Sequence, residues 1–212
     1  IELYLDIESV PERRFHYLVG VLVSGSKREN YHPFWAESDR DEKGIWEKFL
    51  DLTKKYPDAP IFHYGNYEAN AIKELGKRYR RNVDCILGRL YNVNHYIYGR
   101  IYFPVYTNSL KEICHYLGLS WSTPTPSGLT AIMWRHAFQT DARTKSKRDL
   151  LLYNKEDCVN LKRLKAVIVG ICENASSHKV RAADSADQFL NHRIKQVEQD
   201  LSFIQKSAHG KY

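Results

Sequence analysis

Three short stretches carry acidic side chains at spacings that could do chemistry. The first is Asp6-x-Glu8, within residues 2–8 (ELYLDIE). There Leu3, Leu5 and Ile7 alternate with Tyr4, Asp6 and Glu8 at the period of a β-strand. The alternation puts both carboxylates on one face, roughly 7 Å apart along the strand. At about 5 Å and an effective dielectric of about 20, two such charges repel by about 3 kcal/mol. Either the strand end is simply exposed, or the pair needs a compensating cation, a basic side chain or a metal. The second stretch is HYGNYE at 63–68, where a strand gives way to a helix and leaves Glu68 near the helix N-terminus. The third is YNKED at 153–157, whose Tyr153 and Asp157 share a helix face at i, i+4. Taken singly, Glu68 reads as a first-turn acid suited to the helix dipole, and Asp157 as a solvated helical residue. Their joint occurrence, in this order of elements, sets them apart from isolated acids.

The elements that must position these residues can be read from the same periodicities. After the acidic strand, Pro11 and the charged run that follows predict a turn. Residues 15–24 (FHYLVGVLVS) predict a buried strand, and 30–36 a third, together an antiparallel meander. Ile45, Trp46, Phe49, Leu52 and Tyr56 then recur at helical spacing, and Pro57 closes that helix. A short strand at 59–64, a helix from Tyr67 through Tyr79 and a fifth strand at 82–87 follow. The succession predicts an α/β fold, a mixed five-stranded sheet flanked by helices. Ser109 and Glu112 have capping-box spacing and Gly118 suits the C′ position, which predicts a short helix between them. Further helices are expected at 128–138 and from the end of a basic loop at 139–148 to about Cys172.

Residues 175–179 read as a linker, so residues 1–175 form one expected domain and 176–212 a C-terminal helical extension. In that extension Leu190, Ile194, Val197, Leu201 and Ile204 make an apolar stripe. The segment 89–107 holds Tyr91, Tyr96, Tyr98, Tyr102, Phe103 and Tyr106, which either fill space between helices or stack unpaired bases.

Composition bounds the partners. The 212 residues are 43% hydrophobic and 13% aromatic, enough for a full core, and carry a net charge of +7. A basic body around an acidic centre suits a polyanion, though charge alone does not single out nucleic acid. Cys85, Cys114, Cys158 and Cys172 never form a C-x-x-C pair. That argues against a zinc site and leads us to expect reduced thiols and a cytoplasmic, intracellular setting. No apolar run is long enough to span a bilayer. The chain starts at Ile1 and its sole methionine is Met133, so we expect it to be part of a longer polypeptide.

With these residues in place, the sequence resembles the DEDD superfamily of ribonuclease H-like 3′–5′ exonucleases, and within it the YprB-type domain. Asp6 and Glu8 match the D-x-E first motif. Asn66, Tyr67 and Glu68 occupy the second, with Glu68 where most of the superfamily has Asp. Tyr153 and Asp157 match the Y-x-x-x-D third motif of the tyrosine-bearing subclass. The stretch FPVYTNSLK at 103–111, followed by YLGL at 116–119, resembles the central region of the YprB-type family. The resemblance spans roughly residues 3–170.

It implies a metal-dependent nuclease acting on single-stranded DNA or RNA ends by a two-metal mechanism. Asp6, Glu8, Glu68 and Asp157 would hold two Mg²⁺ or Mn²⁺ ions, which prefer carboxylate oxygens. Tyr153 would orient the attacking water. Lys77, Arg78, Arg80 and Arg81, and Arg143, Lys145, Lys147 and Arg148, are candidate phosphate-backbone contacts, although singly each reads as an ordinary solvated basic residue. Two alternatives stay open: a non-catalytic nucleic-acid-binding module within a larger protein, and an integrase-like domain that cuts internally.

Overall fold

The computed structural model describes residues 1–25, 28–122, 128–141 and 144–177. Three antiparallel strands open it: β1 (Glu2–Val10), β2 (Phe15–Ser24) and β3 (Glu29–Trp35), with a 3₁₀ turn at Pro11–Arg13 between the first two. Helix α1 (Glu42–Lys55) leads to β4 (Ile61–His63), and α2 (Tyr67–Arg78) and α3 (Asp84–Leu87) lead to β5 (Leu90–Asn92). Both later strands run parallel to their neighbours, so the sheet is mixed and five-stranded, in the order β3-β2-β1-β4-β5. The acidic strand therefore lies at its centre. Helices α4 (Asn94–Ile97), α5 (Leu110–Tyr116), α6 (Gly128–Asp141) and α7 (Thr144–Ser177) complete the described chain.

The period-2 pattern of β1 divides the core. Leu3, Leu5 and Ile7 join Ile45, Trp46 and Phe49 of α1 and Ile72 and Leu75 of α2 in one buried cluster. Tyr4 points the other way, into a second cluster with Leu22, Ile97, Ile113, Cys114, Cys158, Leu161, Leu164 and Ile168. Asp6 and Glu8 follow Tyr4 on that second face, the face covered by α7. Strand β2, flanked on both edges, is buried at every position. Pro33 is tolerated in β3 because β3 is an edge strand.

Two segments differ from the sequence expectation. Residues 82–87 are not the fifth strand. The Asn82 side chain accepts the Asp84 N–H at 2.8 Å and starts a helical turn, α3, which buries Val83 and Ile86 on one side. A six-residue segment with apolar residues at 83 and 85–87 reads equally as strand or helix, and the Asn82 hydrogen bond decides it. The fifth strand comes next, at Leu90–Asn92. The basic stretch 139–148 is not one continuous loop: α6 reaches Asp141 and α7 begins at Thr144, with Ser146 and Leu150 buried. Helix α7 also runs through the first residues of the expected linker, to Ser177. The stripe from Leu190 to Ile204 lies outside the described residues. No helix of the described chain is long and apolar enough to cross a membrane.

Candidate metal centre

The centre of the sheet and the middle of α7 meet over a single glycine. Asp6 pairs with Gly20 across the β1–β2 ladder. A Cβ on Gly20 would lie 1.6 Å from Oδ1 of Asn154, so only a glycine lets α7 come this close. The apolar stripe Cys158, Leu161, Leu164 and Ile168 seats the helix on the second core. Asp157, immediately before the stripe, and Asn154, one turn before it, lie over the acidic strand. The ladder shifts register between Glu8 and Ser9, an irregularity of the kind that re-aims side chains beside sites.

Asp6, Glu8 and Asp157 each offer a carboxylate oxygen there, and the three oxygens lie within 4.8 Å of one another. Asp157 is buried, while Asp6 and Glu8 keep a partly exposed edge. Removal from water raises the Asp6 carboxyl well above its ordinary range, and the charges of Asp157, Glu8 and Glu68 push it further. The same causes, desolvation first and Asp157 next, push Glu8 up to about 8. Burial also raises Asp157, against the opposing pull of Lys111, Trp121 and Tyr153. Glu68 stands outside the 4.8 Å group but acts on both strand acids by its charge. It is buried at the start of α2, its Oε2 is 3.4 Å from His63 Nδ1, and neither atom has a hydrogen-bond partner among the described residues.

The fit to a divalent cation follows from that donor set. Three convergent carboxylates, repelling one another, with a further buried carboxylate oxygen unsatisfied nearby, are hard oxygen ligands of the type Mg²⁺ and Mn²⁺ take.

A protein-family model described as RNase_H superfamily matches residues 3–169. The chain belongs to the RNase H superfamily. No curated protein and no solved structure matched it. The matched span runs from β1 into α7, so it contains every carboxylate of the cluster. Membership of the RNase H superfamily suggests a nuclease-type activity on nucleic acid, and such nucleases typically use divalent metals.

Of the residues singled out from sequence, Tyr153 lies buried beside the cluster, its ring edge-on to Trp134 at 6.2 Å. Burial, then the charges of Asp157, Glu8 and Asp6, raises its phenol far above the usual range, so it stays protonated and acts as a donor. The basic candidates are not brought to the acids. Lys77, Arg78, Arg80 and Arg81 sit at or beyond the C-terminal end of α2, roughly 14 Å or more along that axis from Glu68. Arg78 is paired with Glu42 and Glu74, and Arg81 with Glu47. Lys145, Lys147 and Arg148 lie in the first turns of α7, and Arg148 is again roughly 14 Å along the helix from Asp157. Lys147 pairs with Glu37 and covers the Trp35 ring, and Arg148 faces Asp149 at 3.9 Å. Arg143 lies outside the described residues.

This RNase H superfamily domain also uses residues to which the sequence reading gave no role. Lys111 Nζ is 3.4 Å from both oxygens of Asp157 and stands over the rings of Tyr153 and Trp121 at 4.7 and 5.6 Å. It is carried by the first turn of α5, which Ser109 caps by accepting the Glu112 N–H at 3.2 Å. Trp121 donates its Nε1–H to Asp157 at 2.8 Å. Asn154 donates to Asp6 and is held in turn by Tyr31. One signal was available: Asn154 is a polar residue one turn ahead of the apolar stripe of α7, in line with it.

Proposed function

We propose that this domain is a divalent-metal-dependent nuclease that hydrolyses phosphodiester bonds, a 3′–5′ exonuclease of DEDD type acting on single-stranded ends. The convergence of Asp6 and Glu8 from the central strand with Asp157 from the last described helix carries the reading. Asp6, Glu8 and Asp157 would hold Mg²⁺ or Mn²⁺, with Glu68 serving a second ion. Bound there, such ions supply Lewis-acid stabilisation to both the attacking and the leaving oxygen of an in-line displacement.

The chain's own residues do the rest. Asn154 fixes the rotamer of Asp6, so the strand carboxylate is oriented before any ligand arrives. Tyr153, held protonated, donates a hydrogen bond and orients the attacking water without accepting its proton. Lys111 balances the charge of Asp157 and presents a cation where a phosphate would approach. Hydrolysis adds the water oxygen to phosphorus, breaks the bond from phosphorus to the strand's 3′-oxygen and returns a proton to that oxygen.

The test is a nuclease assay on 5′-labelled single-stranded DNA and RNA with Mg²⁺ or Mn²⁺. Stepwise shortening from the 3′ end is expected, reduced at least about 10³-fold by Asp6→Asn or Asp157→Asn. Activity unchanged by both substitutions removes this site as its source, and cutting of a closed single-stranded circle removes the exonuclease assignment.

A further inference from the structure

Next to Asp157 the protein has a groove of about 670 Å³, a volume in the range of ligand sites. Its walls come from residues just before α5, from α5 itself and from residues 120 and 121. Pro104, Val105, Tyr106, Tyr116 and Trp121 make it largely apolar. Tyr106 is completely exposed and Tyr116 more than half exposed, an aromatic surface left uncovered by the described chain. The groove is continuous with the carboxylate centre, because Lys111 and Trp121 line it and also touch Asp157. Glu112, also in the lining, turns its carboxylate back to accept the Thr107 N–H at 2.6 Å. The Lys111 ammonium thus stands where groove and centre meet.

We infer that this groove seats the unpaired nucleobase at the reacting end of a single-stranded substrate, with the attached phosphate directed past Lys111 toward the carboxylates. The assignment rests on the nuclease reading. Aromatic faces accept any base by stacking, and a cation at one end matches a ligand with a planar apolar body and one anionic link. A base still paired in a duplex must be unpaired and unstacked before it can enter such a groove, so the groove favours single strands.

The experiment measures binding of labelled single-stranded oligonucleotides by fluorescence anisotropy in Ca²⁺ buffer, with the 3′-terminal base present or absent. For the unaltered chain, loss of the base is expected to weaken binding roughly tenfold, the size of one base–aromatic stack. The Tyr106→Ala/Tyr116→Ala double variant, altered only at exposed rings, should bind both oligonucleotides alike. Tyr116→Phe should retain the tenfold difference. A base preference absent from the unaltered chain, or undiminished in the double variant, overturns the groove assignment. Cleavage with Mg²⁺ or Mn²⁺ is followed in parallel. Cleavage without base preference leaves the nuclease and removes the groove. Base preference that depends on the two tyrosines, without cleavage in either ion, keeps the groove and removes the nuclease.

Discussion

Asn154 Nδ2 donates to Asp6 twice, to Oδ2 at 2.5 Å and to the backbone carbonyl at 3.2 Å. The other end of the same amide accepts the Tyr31 hydroxyl at 2.6 Å. One wholly buried side chain on α7 therefore ties together the central strand, an edge strand and the helix that carries Asp157. A free Asp6 would rotate away from its like-charged neighbours. The amide holds it among them.

Asn154→Ala removes that restraint and strands the Tyr31 hydroxyl. We expect a loss of about 1–3 kcal/mol in stability from the unpaired buried group. We also expect turnover to fall roughly 10- to 100-fold with little change in KM, since orientation is lost and binding is not. Steady-state kinetics beside a urea melt would check both. An unchanged kcat would show that Asp6 needs no support from α7.

Gly20→Ala should reproduce the same defect from the opposite side. Its Cβ would fall 1.6 Å from Asn154 Oδ1 and 2.9 Å from the Tyr31 hydroxyl, forcing α7 off the sheet. Overpacking of this kind costs about 3 kcal/mol. Combined with Asn154→Ala the cost should be clearly less than the sum, because the shorter side chain relieves the collision. Additive losses would mean that the two positions do not share this contact.

Like-charge repulsion within the cluster predicts how it answers to metal. Glu8→Gln should raise the melting temperature of the metal-free protein at neutral pH, because the amide is neutral without the proton that a carboxyl pushed up to about 8 must take up on folding. Mg²⁺ or Mn²⁺ should then stabilise the unaltered chain by about 2–3 kcal/mol at a hundredfold excess over Kd, and the variant by much less. Thermal melts with chelator and with each ion would measure this. Equal stabilisation of the two proteins would place the ion elsewhere.

What could be read from the sequence depended on how local the deciding contact was. Period-2 alternation was enough to place Asp6 and Glu8 on one face, and the unbroken apolar run of β2 was enough to predict a strand in the interior of the meander. Residues 82–87 misled because one Asn82 hydrogen bond outweighs strand propensity in so short a run. Residues 139–148 misled because polar side chains were read as a loop, although 144–148 are helical and Ser146 faces inward. Gly20, Asn154 and Lys111 could not be assigned a role, because their partners are distant along the chain and appear only once α5 and α7 are docked.

Away from the cluster, Glu42 governs the response to acid. Its carboxylate is buried at the start of α1 and accepts the His16 backbone N–H at 2.7 Å and both Arg78 and the Tyr79 hydroxyl at 2.5 Å. Burial works to raise its pKa, but the bonds from His16, Tyr79 and Arg78 prevail and hold it down at about 2. A carboxyl with a lowered folded pKa leaves the unfolded chain binding more protons, so stability rises with pH across that interval. The contribution, about 2–3 kcal/mol, is complete above the ordinary glutamate value and disappears as pH falls toward about 2. Glu42→Gln should therefore cost about 2–3 kcal/mol at pH 7 and about half of that at pH 3. The raised carboxyls of the cluster slope the other way, but they are common to both proteins and cancel in the difference. Urea denaturation of the pair at the two pH values measures it, and an equal loss at both would show that Glu42 acts through packing and not through its charge.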